Sequence, residues 1–173
     1  TMVNRLNIPV ISSWNARDIF NTAATPYIGR CGLFGDRGSN FAVQNADLIV
    51  AIGNRFTIPQ IGHNSNLFAP NAKKIVVDID EKELRKPTFD VDFPIVADAK
   101  AFILAMIEEL GEKQTPSRSH YEWFERCWEW KQRYPVVTEE HKASNNGINS
   151  YAFIETLCKK LTDDAIVVTD VGT

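Results

Sequence analysis

Apolar residues along this chain gather into short β-branched runs, and between the runs they recur at helical spacing. Asp47-Leu-Ile-Val-Ala-Ile52 is the most continuous run, and Lys74 to Asp78 and Phe93 to Val96 repeat its character. Runs of this kind predict strands of a parallel sheet covered on both faces. After the last of them, Phe102, Ile103, Met106, Ile107 and Leu110 predict the apolar face of a helix over Ala99 to Leu110. Asp98 is placed to cap its first turn, and Gly111 to end it. Nearer the start, Ile8 to Ser12 predicts a strand, Val3 to Asn7 the tail of a preceding helix, and Ser39 to Asn45 a short helix. Asn15 to Gly38 has no period; its glycines Gly29, Gly32, Gly35 and Gly38 suit a loop that comes close to another backbone or to a ligand. Strands alternating with helices at this spacing define an α/β, Rossmann-like parallel sheet.

The pattern changes at Glu112 to Ser119, a polar stretch with a proline. Beyond it a helix is predicted from about His120 to Tyr134, with Trp123, Cys127, Trp130 and Tyr134 on one stripe and Phe124 and Trp128 on the next. A face that wide suits packing between domains. Val136 to Ile148 reads as an extended connector, followed by a helix from Ser150 to Leu161 and a strand from Ala165 to Thr169. The expected organisation is therefore a Rossmann-like domain over 1–111 lacking its N-terminal part, a linker with an interdomain helix over 112–149, and the opening of a further α/β domain over 150–173.

Composition narrows the function classes. With 44% hydrophobic and 24% charged residues and a net charge of -3, the chain has the make-up of a soluble globular protein and no general attraction for nucleic acid. It has no Lys/Arg cluster and no apolar run near the roughly 20 residues of a membrane span. A cytoplasmic protein with neither nucleic-acid nor membrane partners is expected. The three cysteines, Cys31, Cys127 and Cys158, are far apart and form no CxxC pair, so buried thiols are expected. The three histidines are equally dispersed, and no metal site is assigned.

Candidate chemistry lies at the strand ends. Gly53-Asn54-Arg55, Asp78-Ile79-Asp80 and Ala97-Asp98 each follow a strand, so a parallel sheet lines all three along one edge. There a carboxylate can accept from a ribose hydroxyl and an arginine can hold a phosphate. The same residues admit a structural reading: Asp98 as a helix cap, Asp80 as a helix start, Arg55 as a surface charge. No nucleophile–base set, Walker loop or GxGxxG fingerprint is present.

Taken in order, Asn40-Phe-Ala-Val-Gln-Asn-Ala-Asp-Leu-Ile-Val-Ala-Ile-Gly-Asn-Arg-Phe56, Phe68-Ala-Pro-Asn-Ala-Lys-Lys-Ile-Val-Val-Asp-Ile-Asp80 and Pro94-Ile-Val-Ala-Asp-Ala-Lys100 resemble the central domain of thiamine diphosphate enzymes of the acetolactate synthase family. The resemblance implies a parent enzyme that decarboxylates a 2-oxo acid such as pyruvate and joins the product to an acceptor. It also implies thiamine diphosphate and Mg²⁺ as cofactors, a homodimer or homotetramer, and catalytic domains on either side of this one. The family's metal-binding Gly-Asp-Gly motif does not occur in this sequence, so this stretch is expected to be an inactive fragment. Gly172 and Thr173 would lie in the turn that meets the diphosphate of thiamine diphosphate.

Relatives that bind FAD do so along the strand edge. Matched residue by residue, Gly53, Asn54 and Arg55 fall in the Gly-x-Arg-Phe turn, Asp78 and Ile79 in the Asp-Ile pair, and Asp98 with Ala99 in the last acidic pair. The sequence departs from that pattern at Phe34-Gly35, where those relatives have His-Gly, and at Thr57-Ile-Pro-Gln60, where they carry a second arginine. Both departures remove charge-assisted contacts, so no cofactor is expected on this chain by itself. The alternative is a stand-alone nucleotide-binding or interaction module.

Overall fold

The computed structural model describes residues 2–16, 18–87, 89–111, 116–143, 147–162 and 164–168. The backbone divides into two compact units, one ending at Tyr134 and the other starting at Pro135.

The first unit is α/β and holds two parallel sheets. One pairs β1 (Val10–Ser12) with β2 (Tyr27–Arg30); the other has β3 (Leu48–Ile52), β4 (Lys73–Asp78) and β5 (Phe93–Val96) in that spatial order. Pairing of Val50 with Ile75 and of Asp78 with Val96 sets all three carboxyl ends on one edge, as the sequence pattern requires. Val77 in the middle strand has no exposed surface. The expected burial of β3 is not met: it is an edge strand, and Leu48 remains 49% exposed.

Strand β2 lies inside the stretch expected to be irregular. Gly29 interrupts its apolar pattern, and the fold requires glycine there, because a Cβ would stand 2.2 Å from a carboxylate oxygen of Asp36. The residue's φ of 149° is likewise one that side chains disfavour.

The helices follow their caps. At the chain start α1 (Met2–Leu6) sends Arg5 to the carbonyl oxygens of Ile107 (3.3 Å) and Gly111 (2.9 Å). These belong to the last turn and C-cap of α5 (Ala99–Leu110), where a cation complements the helix dipole. Asp98 caps the other end of α5, accepting from the Ala101 amide at 2.9 Å. Between β2 and β3 runs α2 (Arg37–Asn45); α3 (Ile58–Ile61) and α4 (Glu81–Leu84) are single turns. Opposite α2 lies α6 (Arg118–Arg133), which starts two residues before the predicted helix because Ser117 caps it. Instead of presenting its aromatic stripe outward, α6 packs on α2 and β2, with Cys127 sealed against Ile28 and Ala42. The first unit thus continues past the composition change at Glu112.

The second unit contains α7 (Glu139–Lys142) and α8 (Ser150–Cys158). The first of these falls in the expected extended connector and exists because Thr138 and His141 form a reciprocal capping box, an unusual one in that histidine takes the place of glutamate. No strand forms at Ala165–Val168, where one was expected. A strand needs a partner, none is present among the described residues of this unit, and Ile166 and Val168 are 91% and 89% exposed. Cys158 is exposed, against expectation, because no described residue of this unit is buried.

Candidate functional site

The carboxyl ends of β1, β2 and β3 converge on a cleft of about 340 Å³. Ser13, Trp14 and Asn15 follow β1; Cys31, Gly32 and Phe34 follow β2; Gly53, Asn54 and Arg55 follow β3. Thr57, Pro59 and Gln60 close it from α3 and the turn before it.

Each wall is built by local chemistry. Gly53 ends β3 with its amide donating to the Val77 carbonyl at 2.8 Å, and Asn54 accepts from the Phe56 amide at 2.9 Å, which fixes the turn that presents Arg55. Arg55 Nε and Nη2 both donate to one oxygen of Glu83, at 3.0 and 2.7 Å. Lys86 holds the other Glu83 oxygen and also donates to the Arg55 carbonyl oxygen at 3.3 Å. The two cations hold the Glu83 carboxyl below the ordinary range, and Glu83 raises the Arg55 guanidinium in turn.

On the β2 side, the Asn40 side chain pairs with the Gly32 peptide in both directions, at 2.8 and 3.0 Å. Arg30 lies 3.4 Å from Asp36, whose other oxygen accepts from the Arg30 amide at 2.9 Å. Gln60 donates to the Cys31 sulfur at 3.5 Å, and burial raises the Cys31 thiol above its usual range. Trp14 and Phe34 meet edge to face at 5.7 Å across the mouth, and both rings keep exposed surface.

Of the residues singled out from sequence, the cleft collects Gly53, Asn54 and Arg55. Asp78, Ile79, Asp98 and Ala99 lie farther along the same sheet edge and do not line it. Asp78 accepts from the Asp80 amide and Asp80 from the Lys82 amide, both at 2.9 Å, so these carboxylates shape turns, as Asp98 caps α5. Gly172 and Thr173 lie outside the described residues. Ser13 and Trp14 were missed, with the polar run after β1 as their signal; Asn15, Arg30 and Cys31 fell in the glycine-bearing stretch expected near a ligand but were not singled out, because β2 was hidden by its glycine. Among the described residues no three histidine, cysteine or acidic side chains gather to hold a metal ion, and no helix is long and apolar enough to cross a membrane.

The donor set fits the diphosphate of a flavin dinucleotide poorly. Among the described residues both arginines lining the cleft are already paired with carboxylates, and neither a second arginine after Arg55 nor a histidine at Phe34 is there to add charge.

Parallel strands alternating with helices, with a cleft beyond the carboxyl ends of β1, β2 and β3, are those of an α/β, Rossmann-like domain. Residues 1–106 match the family described as "Thiamine pyrophosphate enzyme, central domain", and the chain belongs to that family. It is 31% identical over 172 residues to the acetolactate synthase isozyme 3 large subunit of Escherichia coli (strain K12), covering 98% of this chain and 29% of that relative. The acetolactate synthase large subunits of Porphyra purpurea (31% over 172 residues, 99% of this chain and 28% of the relative) and Corynebacterium glutamicum (31% over 165 residues, 95% and 26%) are similar to it to the same degree. The chain therefore spans less than a third of the length of these relatives.

Proposed function

We propose that this chain is the central part of a thiamine diphosphate-dependent, acetolactate synthase-like enzyme that decarboxylates a 2-oxo acid such as pyruvate and ligates the product to an acceptor. The observation that carries the reading is the likeness to acetolactate synthase large subunits over nearly every residue. In such an enzyme thiamine diphosphate, held with Mg²⁺, supplies the electron sink for decarboxylation. In this reading residues 1–111 carry the strands of the central domain, 112–149 follow with α6 packed back on it, and 150–173 open the diphosphate-binding domain, in which Gly172 and Thr173 meet the cofactor. The enzyme is cytoplasmic and a homodimer or homotetramer.

This chain's own contribution is a scaffold whose strand edge forms a nucleotide-type site, with Gly53, Asn54 and Arg55 in the cleft and Asp78, Ile79, Asp98 and Ala99 beside it. The test is pyruvate consumption by the whole polypeptide that carries this chain, supplied with thiamine diphosphate and Mg²⁺. Release of carbon dioxide that depends on thiamine diphosphate is expected, with none from the 173-residue chain alone. A whole polypeptide that binds thiamine diphosphate yet turns over no 2-oxo acid would overturn the reading.

A further inference from the structure

The two parallel sheets of the first unit end on facing edges. A groove runs between them, lined by Ile11 and Ser12 of β1 on one side and by every residue of β3 on the other. It reaches from Ile8 and Asp47 before the two strands to Ser13 and Gly53 just after them. Main-chain groups on alternate residues of a parallel strand point to opposite neighbours. The Asp47 carbonyl and the Gly53 amide bond to β4, so the main-chain groups of Leu48, Val50 and Ile52 point into the groove. On β1 the Val10 amide and the Ser12 carbonyl bond toward β2, which turns the peptide groups of Ile11 to the groove.

The strand β3 is also composed like an inner strand. Edge strands are ordinarily blunted by a charge, a proline or a bulge. At the opposite edge β5 carries Pro94, whereas Leu48-Ile-Val-Ala-Ile52 has neither charge nor proline and pairs with β4 in unbroken register.

The helices indicate where a partner for both edges would come from. Connections from β3 to β4 and from β4 to β5 cover the Val76 face of the sheet, where Ile61 and Leu84 share its cluster. Helix α5 touches β4 and adds no residue to that cluster, so it covers the opposite face, and Arg5 ties α1 to it. Right-handed crossovers step in opposite directions when they pass over opposite faces. Those leaving β3 step away from β1. A strand that enters β1 through α1 therefore steps toward β2, and it stands on the groove side of β1.

We propose that the groove seats a further parallel strand, apolar and matched to the five residues of β3, which is supplied by the polypeptide immediately before α1 in the whole enzyme and joins the two sheets into one. The inference rests on the reading of this chain as part of a longer enzyme; the chain covers 29% of the Escherichia coli relative, which leaves ample length for such a segment.

The experiment compares amide exchange in the 173-residue chain and in the whole polypeptide that carries it. In the chain alone the amides of Leu48, Val50 and Ile52 should exchange faster than those of Ile49 and Ala51, which bond to β4. In the whole polypeptide the same three should slow by at least about tenfold, as amides do when they enter a ladder. Equal exchange of the three in both proteins would overturn the groove as a pairing surface. The occupant is identified by placing a photoreactive benzoylphenylalanine at Val50 of the whole polypeptide and mapping the joined peptide by mass. A peptide from just before Thr1 is expected; one from a second copy, or from beyond Thr173, would overturn the assignment. Neither readout requires turnover, so an enzyme inactive toward 2-oxo acids would still decide it.

Discussion

The two sheets of the first unit are held by different means. In the three-stranded sheet the pleat does the work: Val76 and Val77 are buried, and Phe56, Phe68 and Phe89 pack ring on ring beside them, with centroids 4.1 to 5.9 Å apart. The two-stranded sheet is short and depends on polar staples. Ser12 bonds the Tyr27 hydroxyl at 2.8 Å, Ser39 donates to the Arg30 carbonyl, Asn40 clasps Gly32, and Lys131 reaches the carbonyls of Thr22 and Tyr27. The two-stranded sheet, whose Tyr27, Ile28 and Gly29 are buried, combines cover by α6 with the polar staples, and it lends most of the cleft.

The sharpest way to break the contrast is Phe68→Ala, which removes the centre of the aromatic cluster. A loss of about 3 to 5 kcal/mol is expected from urea unfolding of the chain; a loss below 1 kcal/mol would mean the pleat does not dominate. Asn40→Ala strikes the other half by leaving the amide of Gly32 without its partner, while the Gly32 carbonyl keeps the Gly35 amide at 3.0 Å. About 1 to 3 kcal/mol should be lost, and amide exchange should speed up at Gly32 before it changes at Val77.

A further effect, confined to alkaline solution, comes with pH. Burial pushes the Cys127 thiol up to about 12, so in the unfolded chain it gives up its proton at lower pH than in the folded one. Its contribution is complete below about pH 9 and declines from there toward pH 12, at about 1.4 kcal/mol per unit. The raised Cys31 thiol acts in the same direction, whereas Lys131, lowered by desolvation, acts in the opposite one. Cys127→Ala should flatten the alkaline slope of the unfolding midpoint; an unchanged slope would assign the pH dependence elsewhere.

The same contrast decides what could be read from sequence. Strands β3, β4 and β5 announce themselves by their β-branched and aromatic runs, although consecutive burial is confined to Val76 and Val77 of β4, and α5 because Asp98 and Gly111 mark its ends. The cleft was half legible. Gly53, Asn54 and Arg55 follow a visible strand, but Arg30 ends and Cys31 follows one carried by Tyr27-Ile-Gly-Arg30, whose glycine answers to a carboxylate seven residues away in the turn beyond the strand. Likewise no spacing discloses that Arg55 is held by Glu83, which the chain reaches only after β4. The aromatic stripe of α6 was visible, whereas its partner was not, since an apolar face states that it is covered and not by what.

That partner gives the fold a timetable. Gly38 on α2 lies so close to α6 that a Cβ would come within 2.9 Å of the Lys131 amide nitrogen and 3.0 Å of the Trp130 carbonyl group. The bare patch formed by Gly38, Ala42 and Ile28 is made early in synthesis, and the helix that covers it emerges last in its unit. At about 5 to 20 residues per second the patch waits on the order of ten seconds for its cover. The strands of the three-stranded sheet pair with one another within residues 48–96, so all of them have been synthesised before then. A nascent chain thus holds every strand of the unit while the helix that covers the cleft-bearing end is still to come.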